Sequence, residues 1–370
     1  MKIVVLGAGM VGSAIALDLC QNYEVTSIDF NSKQLASLQK RQPKIQIIEH
    51  DLRDYASFPS LLQNANLVIT AVPGFMGFET LRHVILCGKN VVDISFSPEN
   101  ALELDAIAKK NQVTAIVDCG VAPGMSNLII GRYDQEFKIK EFEIYVGGLP
   151  LHPKPPFNYK APFSPIDVIE EYTRPARMKK DGEVIVKPAL SDLELLTFEE
   201  VGQLEAFNTD GLRTLLFTMG HIPNQTEKTL RYPGHAQLIS TLQSSGFFDR
   251  EAIQILGNKI SPLEFTSQLL VKDWKLDPNE EEFTVMKVIL KGEGKKVEYS
   301  LLDYYDKETN TSSMARTTGY TCCAAANLIL KNMFHNKGIF PPEWIGSDNN
   351  CFEFVLDYLK KRKVIWKRIS

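Results

Sequence analysis

No run in this sequence reaches the roughly 18 consecutive apolar residues of a membrane span. A basic excess is also missing: 41 Lys and Arg stand against 45 Asp and Glu, a formal net charge of −4. Nucleic-acid binders usually carry a clear positive surplus, so neither a nucleic acid nor a membrane is expected as partner. The cysteines at 20, 87, 119, 322, 323 and 351 form no C-x-x-C pair, and no His stands at ligand spacing from them. A disulfide scaffold and a zinc site are therefore not indicated, and no metal is expected. Reduced cysteines in a cytoplasmic protein are the simplest reading. Three glycines interrupt the apolar N-terminus, Asp18 sits near its end, and no small-residue cleavage site follows. It does not read as a secretory signal.

What is present fits two domains, since 370 residues divided by roughly 150 gives between two and three. Hydrophobic residues are 44% and charged residues 23%, which excludes a disordered chain, a fibre or a rod. The first 125 residues alternate β-branched runs (2–7, 24–30, 45–51, 66–73, 90–96, 113–120) with helical patterns (11–20, 32–41, 55–62, 78–87, 98–110). Alternation of this kind predicts a parallel sheet covered by helices on both faces. After Pro123-Gly124 the texture changes. A strand over 142–148 precedes a stretch with six prolines between Pro150 and Pro165, which reads as an ordered loop. Strands over 184–186, 203–207, 283–290 and 297–303 then mix with helices over 234–244 and 262–270. A last small-residue helix over 319–332 is expected to return to the first domain. The expected fold is α/β, a doubly wound parallel (Rossmann) sheet over 1–123 completed by 310–370. A second α+β domain over 124–309 is expected to carry substrate and dimer contacts.

Gly7-Ala8-Gly9-Met10-Val11-Gly12 fits G-x-G-x-x-G, after a strand and at the start of a helix. Gly7 permits the tight turn, Gly9 lets a pyrophosphate approach the backbone, and Gly12 lets the helix pack on the sheet. Phosphates would meet the helix N-terminus. Asp29 ends the second strand, 20 residues after Gly9. A carboxylate there accepts from both ribose hydroxyls and repels a 2′-phosphate, so NAD is expected over NADP. Asp51 and Leu52 follow the third strand as candidates for the adenine edge, with a helix cap as the alternative for Asp51. Val72 and Pro73 end the fourth strand, where a plain turn explains them equally well. Asp93, Asp118 and Gly120 fall at the carboxyl edge of the sheet, where ligands of such folds bind. Capping is the alternative for both aspartates. Cys119 reads as a packed residue, since hydride transfer needs no thiol.

Further motifs are VDISF (92–96), VDCGVAPGMSNLIIG (117–131), YVGGLP (145–150), NYKAPFSPIDVIEEYTRPAR (158–177), EAFNTDGLRTLL (205–216), EKTLRYPGHA (227–236) and RTTGYTCCAAANLIL (316–330). With them the chain resembles the saccharopine dehydrogenase family, and most of its length shares in the likeness. YKAPFSP draws it toward the L-lysine 6-dehydrogenase branch. The absence of Glu-Lys-Pro after the fifth strand sets it apart from two-domain sugar dehydrogenases. The resemblance implies hydride transfer at a C–N bond of L-lysine or saccharopine, in a homodimer. A reductive-condensation enzyme making carboxylated polyamines and a dinucleotide-sensing module without turnover are the alternatives.

Such chemistry needs a clamp for the α-carboxylate, a proton acceptor and a route for water. Arg binds carboxylates through a planar fork, and among the motif arginines Arg174, Arg177, Arg213 and Arg231 the resemblance favours Arg231, then Arg174. A structural ion pair is the alternative for each. Lys160 is nominated as the base if desolvated and otherwise reads as a surface Lys, His235 as a proton shuttle or a helix cap, and Asp93 or Asp118 as partner of the substrate amine. Tyr159, Phe163, Ser164, Asn208 and Thr209 are nominated to line the pocket.

Overall fold

The computed structural model describes residues 1–277 and 280–370. The N-terminal third alternates β1 (Lys2–Leu6), α1 (Met10–Leu19), β2 (Glu24–Asp29), α2 (Ser32–Arg41), β3 (Gln46–Glu49), α3 (Phe58–Leu61), β4 (Leu67–Thr70), α4 (Gly74–Leu86), β5 (Val91–Asp93), α5 (Asp105–Lys110) and β6 (Thr114–Ile116). Asn31 starts α2 by accepting from the amides of Lys33 and Gln34. The expected helix over 55–62 is instead a 3₁₀ turn followed by the short α3, which has a proline in its first turn.

Then come α6 (Met125–Asp134), β7 (Glu141–Pro150), α7 (Pro165–Thr173), β8 (Ala176–Lys180), β9 (Glu183–Lys187), β10 (Glu194–Phe198) and β11 (Gly202–Asn208). They are followed by α8 (Leu215–Thr218), β12 (Asn224–Arg231), α9 (His235–Ser244), β13 (Ile253–Ile255), β14 (Asn258–Ile260), α10 (Pro262–Trp274), β15 (Glu282–Gly292) and β16 (Lys295–Tyr304). The chain ends with α11 (Ser313–Leu330), β17 (Gly338–Phe340), α12 (Pro342–Gly346), α13 (Asn349–Lys360) and β18 (Trp366–Arg368).

The first sheet runs β17-β6-β5-β4-β1-β2-β3, and every pairing in it is parallel. Strand order reverses between β1 and β4. That reversal opens a crevice at the carboxyl ends of the strands, the place where such sheets bind ligands. All four β4 residues are buried, as a strand covered on both faces requires. The second sheet runs β10-β11-β12-β7-β15-β16-β18, with β8 attached to β12 and β9 to β8. Within it only β12 and β7 pair in parallel.

The C-terminal segment serves both sheets: β17 joins β6 of the first and β18 joins β16 of the second. Helix α11 packs along α1, where the bare Cα of Gly319 lets it close on Ile15 and Ala14. Elements not anticipated from the sequence include α6, α7 at the end of the proline-rich stretch, β8, β10, β12, α12 and α13. Helix α6 carries no amphipathic signal because eight of its ten residues are buried.

Candidate active site at the domain junction

The glycine turn has the geometry a dinucleotide needs. Gly7 sits at φ +108°, and a Cβ there would lie 2.3 Å from the Ala71 carbonyl oxygen. At Gly12 a Cβ would lie 2.1 Å from the Gly7 carbonyl oxygen, so helix and turn touch directly. At Gly9 it would meet nothing within 4 Å. The turn is therefore closed on its protein side and open above the α1 N-terminus, a cradle that fits a pyrophosphate. Met10 and Val11 start the helix, with Met10 exposed. Asp29 is buried and braces the cradle. One of its oxygens accepts from the Ala8 amide at 2.7 Å, the other from the Asn31 amide at 2.8 Å.

Around this crevice, Val72 and Leu52 are buried, while Pro73 precedes α4. Asp51 is more exposed and pairs with Arg53 at 2.6 Å, and that partner pulls its carboxyl down to about 2. Gly120 lies against Thr318 of α11. Asp93 ends β5 and is buried; Thr70 and Ser95 donate to it. Burial outweighs those donors and pushes its carboxyl up to about 6. Burial also raises the Cys119 thiol well above its ordinary range, so it is no thiolate nucleophile.

Several contacts join the domains here. Arg213 donates to Asp118 at 2.8 and 3.2 Å, a pair with both side chains buried. Both residues have left-handed backbones, at φ 52° and 51°. Conformations of this kind in non-glycine residues cluster at functional sites. The guanidiniums of Arg174 and Arg213 lie 5.4 and 5.1 Å from the centroid of the Phe96 ring, just beyond β5. Asp167, on the first turn of α7, accepts from the Gly74 amide at 3.3 Å. Two buried polar atoms in this junction have no partner among the described residues, Arg174 Nη1 and Asp118 Oδ2.

Behind the junction lies a buried polar network between α7 and β12. Arg231 donates through Nε to the Tyr172 hydroxyl at 2.8 Å and through Nη1 to the Leu230 carbonyl at 2.9 Å. Its Nη2 reaches Tyr159 and Glu171, each at 3.3 Å. Burial raises the Glu171 carboxyl to about 7, with Arg231 opposing the shift. His235 contacts the Phe157 carbonyl through Nδ1 and the Tyr172 hydroxyl through Nε2, both at 2.9 Å. A carbonyl only accepts, so Nδ1 carries the proton and Nε2 accepts from Tyr172. Neither ring nitrogen is left for a substrate. Burial, then the Arg231 charge, depresses the imidazole to about 3. The ring should therefore stay neutral from pH 8 down to pH 5, and nitrogen NMR of labelled protein should show no His235 titration there. A His235 midpoint near 6.5 would overturn this description.

The remaining nominated residues are dispersed. Lys160 donates to the Asp273 carbonyl at 2.6 Å, at the end of α10. Tyr159 packs against Trp274 and His235. Phe163 packs between two core clusters, and Ser164 precedes α7 as its cap residue. Asn208 donates to Ser191 and Asp192, and Thr209 donates to Glu227 at 2.8 Å. None of Asp167, Glu171, Tyr172 and Glu227 was nominated from the sequence as a site residue. Their spacing carried a signal: 167, 171 and 174 share a helix face, and 227, 229 and 231 share a strand face.

Comparison with known proteins adds three findings. The saccharopine dehydrogenase NADP binding domain matches residues 3–116, and the saccharopine dehydrogenase C-terminal domain matches residues 120–365. Among curated proteins, the mouse mitochondrial alpha-aminoadipic semialdehyde synthase is 25% identical over 284 residues, 73% of this chain and 31% of that protein. The Arabidopsis thaliana synthase is 26% identical over 246 residues, 62% of this chain and 23% of that protein. The saccharopine dehydrogenase (NADP(+), L-glutamate-forming) of Pyricularia oryzae is 27% identical over 286 residues, 73% of this chain and 63% of that protein. The matched stretch is thus less than two thirds of each of these relatives. Apo saccharopine dehydrogenase (L-Glu forming) from Saccharomyces cerevisiae shares the fold, with a TM-score of 0.79 at 19% identity over the full length of both chains.

Proposed function

Because the chain belongs to the saccharopine dehydrogenase family, we propose that it is a nicotinamide-dinucleotide oxidoreductase acting at a C–N bond of L-lysine or a lysine-derived amine such as saccharopine. The observation that carries this reading is the unpartnered, buried Nη1 of Arg174. It lies beside Phe96 at the carboxyl edge of the first sheet. A guanidinium held there with a spare N–H is suited to clamp an amino acid carboxylate.

When bound, the dinucleotide supplies hydride acceptance, and the protein supplies orientation and electrostatics. Gly7, Gly9, Met10, Val11 and Gly12 receive its phosphates in this proposal, with Asp29, Asp51, Leu52, Val72, Pro73, Asp118 and Gly120 along the crevice. Arg174 holds the substrate carboxylate, and Phe163 and Ser164 wall the pocket. Asp93 takes the amine proton in this proposal, because it ends β5 at the carboxyl edge of the sheet, where burial raises its carboxyl to about 6. Arg231, Tyr159 and His235 hold the junction in place rather than meeting substrate, because their polar atoms are already engaged. Asn208 and Thr209 likewise position neighbouring loops, and Lys160 is left out of proton transfer.

The dinucleotide is proposed to be NAD. Asp29 sets a carboxylate at the ribose position, and like charges there disfavour a 2′-phosphate. The relatives from Pyricularia oryzae and Schizosaccharomyces pombe carry NADP(+) in their names, which opposes this assignment. One assay tests both parts. Absorbance at 340 nm is followed with NAD or NADP and a panel of basic amino acids and their glutamate conjugates at alkaline pH. Turnover with kcat/KM about 100-fold higher for NAD is expected, the scale of a like-charge penalty of several kcal/mol. Absence of any reduced dinucleotide overturns the proposal, and preference for NADP overturns the Asp29 argument.

A further inference from the structure

Glu227, Thr229 and Arg231 alternate along β12 and so point to one face. Arg231 is committed to Glu171, Tyr159 and Tyr172, but Glu227 is not committed to any cation. It is 4% exposed, yet among the described residues no Lys or Arg lies within ion-pair distance of it. Its two donors, Thr209 Oγ1 at 2.8 Å and the Gly211 amide at 3.1 Å, both reach Oε2. Among the described residues none reaches Oε1. The loop packs closely over Glu227, since a Cβ at 211 would lie 2.4 Å from its carboxyl carbon. Two residues on, the same loop delivers Arg213 to Asp118, so Glu227 lies beneath the domain junction.

Charge accounting around the junction is then simple. Arg177 is spent on Asp210 at 2.8 Å through two nitrogens, Arg213 on Asp118 and Arg231 on Glu171. Arg174 reaches Glu170 only at 3.9 Å through Nη2 and keeps an unpartnered N–H at Nη1. Among the described residues, the buried carboxyls of Asp118 and Glu227 each keep an oxygen that no donor reaches; Asp118 has Arg213 as its cation, and Glu227 has none. A buried carboxylate without a cation is costly. Burial accordingly pushes Glu227 up to about 8.

We propose that Glu227 is a specificity-determining residue that receives an ammonium group of a substrate bearing a single carboxylate, such as L-lysine, and turns away amines conjugated to a dicarboxylate, such as saccharopine. This rests on the reading of the junction as an amine oxidoreductase site. Saccharopine brings three carboxylates to a junction with one spare guanidinium, and a carboxylate placed beside Glu227 is repelled.

The test compares kcat/KM for L-lysine and L-saccharopine, with each dinucleotide, in the wild type, Glu227→Gln and Glu227→Arg. The wild type is expected to favour L-lysine about 100-fold. Glu227→Gln keeps an acceptor for Thr209 and Gly211. It should lower kcat/KM for L-lysine about 10- to 100-fold, mainly through KM, with little change for saccharopine. Glu227→Arg should move the ratio further toward saccharopine. A wild type that prefers saccharopine overturns the proposal and leaves the oxidoreductase reading intact, whether or not the variants fold. An unmoved ratio in Glu227→Gln, at unchanged melting temperature, overturns it too. Turnover of neither compound overturns the oxidoreductase reading, and this proposal with it.

Discussion

Replacing Gly9 with alanine is expected to leave the fold intact and weaken dinucleotide binding by about 100-fold, the loss of roughly 2.7 kcal/mol of close phosphate contact. The separation of these two effects follows from local geometry. Gly9 has φ −65° and ψ −171°, an extended conformation open to any residue, and its Cβ would meet no protein atom within 4 Å. The added methyl therefore costs the apo protein little. It occupies the space that a pyrophosphate needs above the α1 amides. Gly12→Ala provides the contrast, because its Cβ would sit 2.1 Å from the Gly7 carbonyl oxygen. That variant should lose stability as well as binding. Calorimetric titration with NADH and NADPH, paired with thermal melting, checks both. Unaltered affinity in Gly9→Ala would mean that phosphates do not pass over this turn.

Arg231→Ala is expected to destabilise the fold by about 3–5 kcal/mol, because it breaks a buried ion pair and strands its partner. Glu171 would keep a carboxyl among Tyr159, Tyr172 and Asp167 with no guanidinium at 3.3 Å. The penalty should grow with pH. Without Arg231 the folded-state carboxyl rises further above its unfolded value, so the folded state binds the extra proton and loses stability as pH increases. Between pH 5 and pH 8 the difference from wild type should widen. Arg231→Lys should recover little, since an ammonium cannot span Tyr172, Leu230, Tyr159 and Glu171 together. Adding Glu171→Gln to Arg231→Ala should restore part of the loss, which a double-mutant cycle in urea would measure. A loss below about 1 kcal/mol, with a large rise in substrate KM instead, would make Arg231 the carboxylate clamp.

These two variants mark opposite ends of what could be read in advance. The glycine turn and Asp29 lie within one βαβ unit, and the contact between Asp29 and Ala8 spans only 21 residues. Local spacing is enough to place such groups, because strand, turn and helix are rigid over that distance. The six strands of the N-terminal half were legible for the same reason, as each is a β-branched run bounded by a break in periodicity. Helix α6 was missed because a helix buried on all sides has no polar face to reveal it.

The roles of the charged residues in the second half were not legible. Arg231 meets Glu171 across 60 residues, His235 meets Tyr172 across 63, and Arg213 meets Asp118 across 95. The family resemblance ranked Arg231 above Arg174 as a clamp. The tertiary structure engages four N–H groups of Arg231 in the protein and leaves one buried nitrogen of Arg174 without a partner. From sequence alone came the sheet, the phosphate turn, the acid behind it and the family likeness, all carried by short-range periodicity and exact motifs. Which of Arg174 and Arg231 keeps a free N–H was decided only when β12 packed beside α7. Hydrogen-bonding capacity is finite, and the fold determines where it is used.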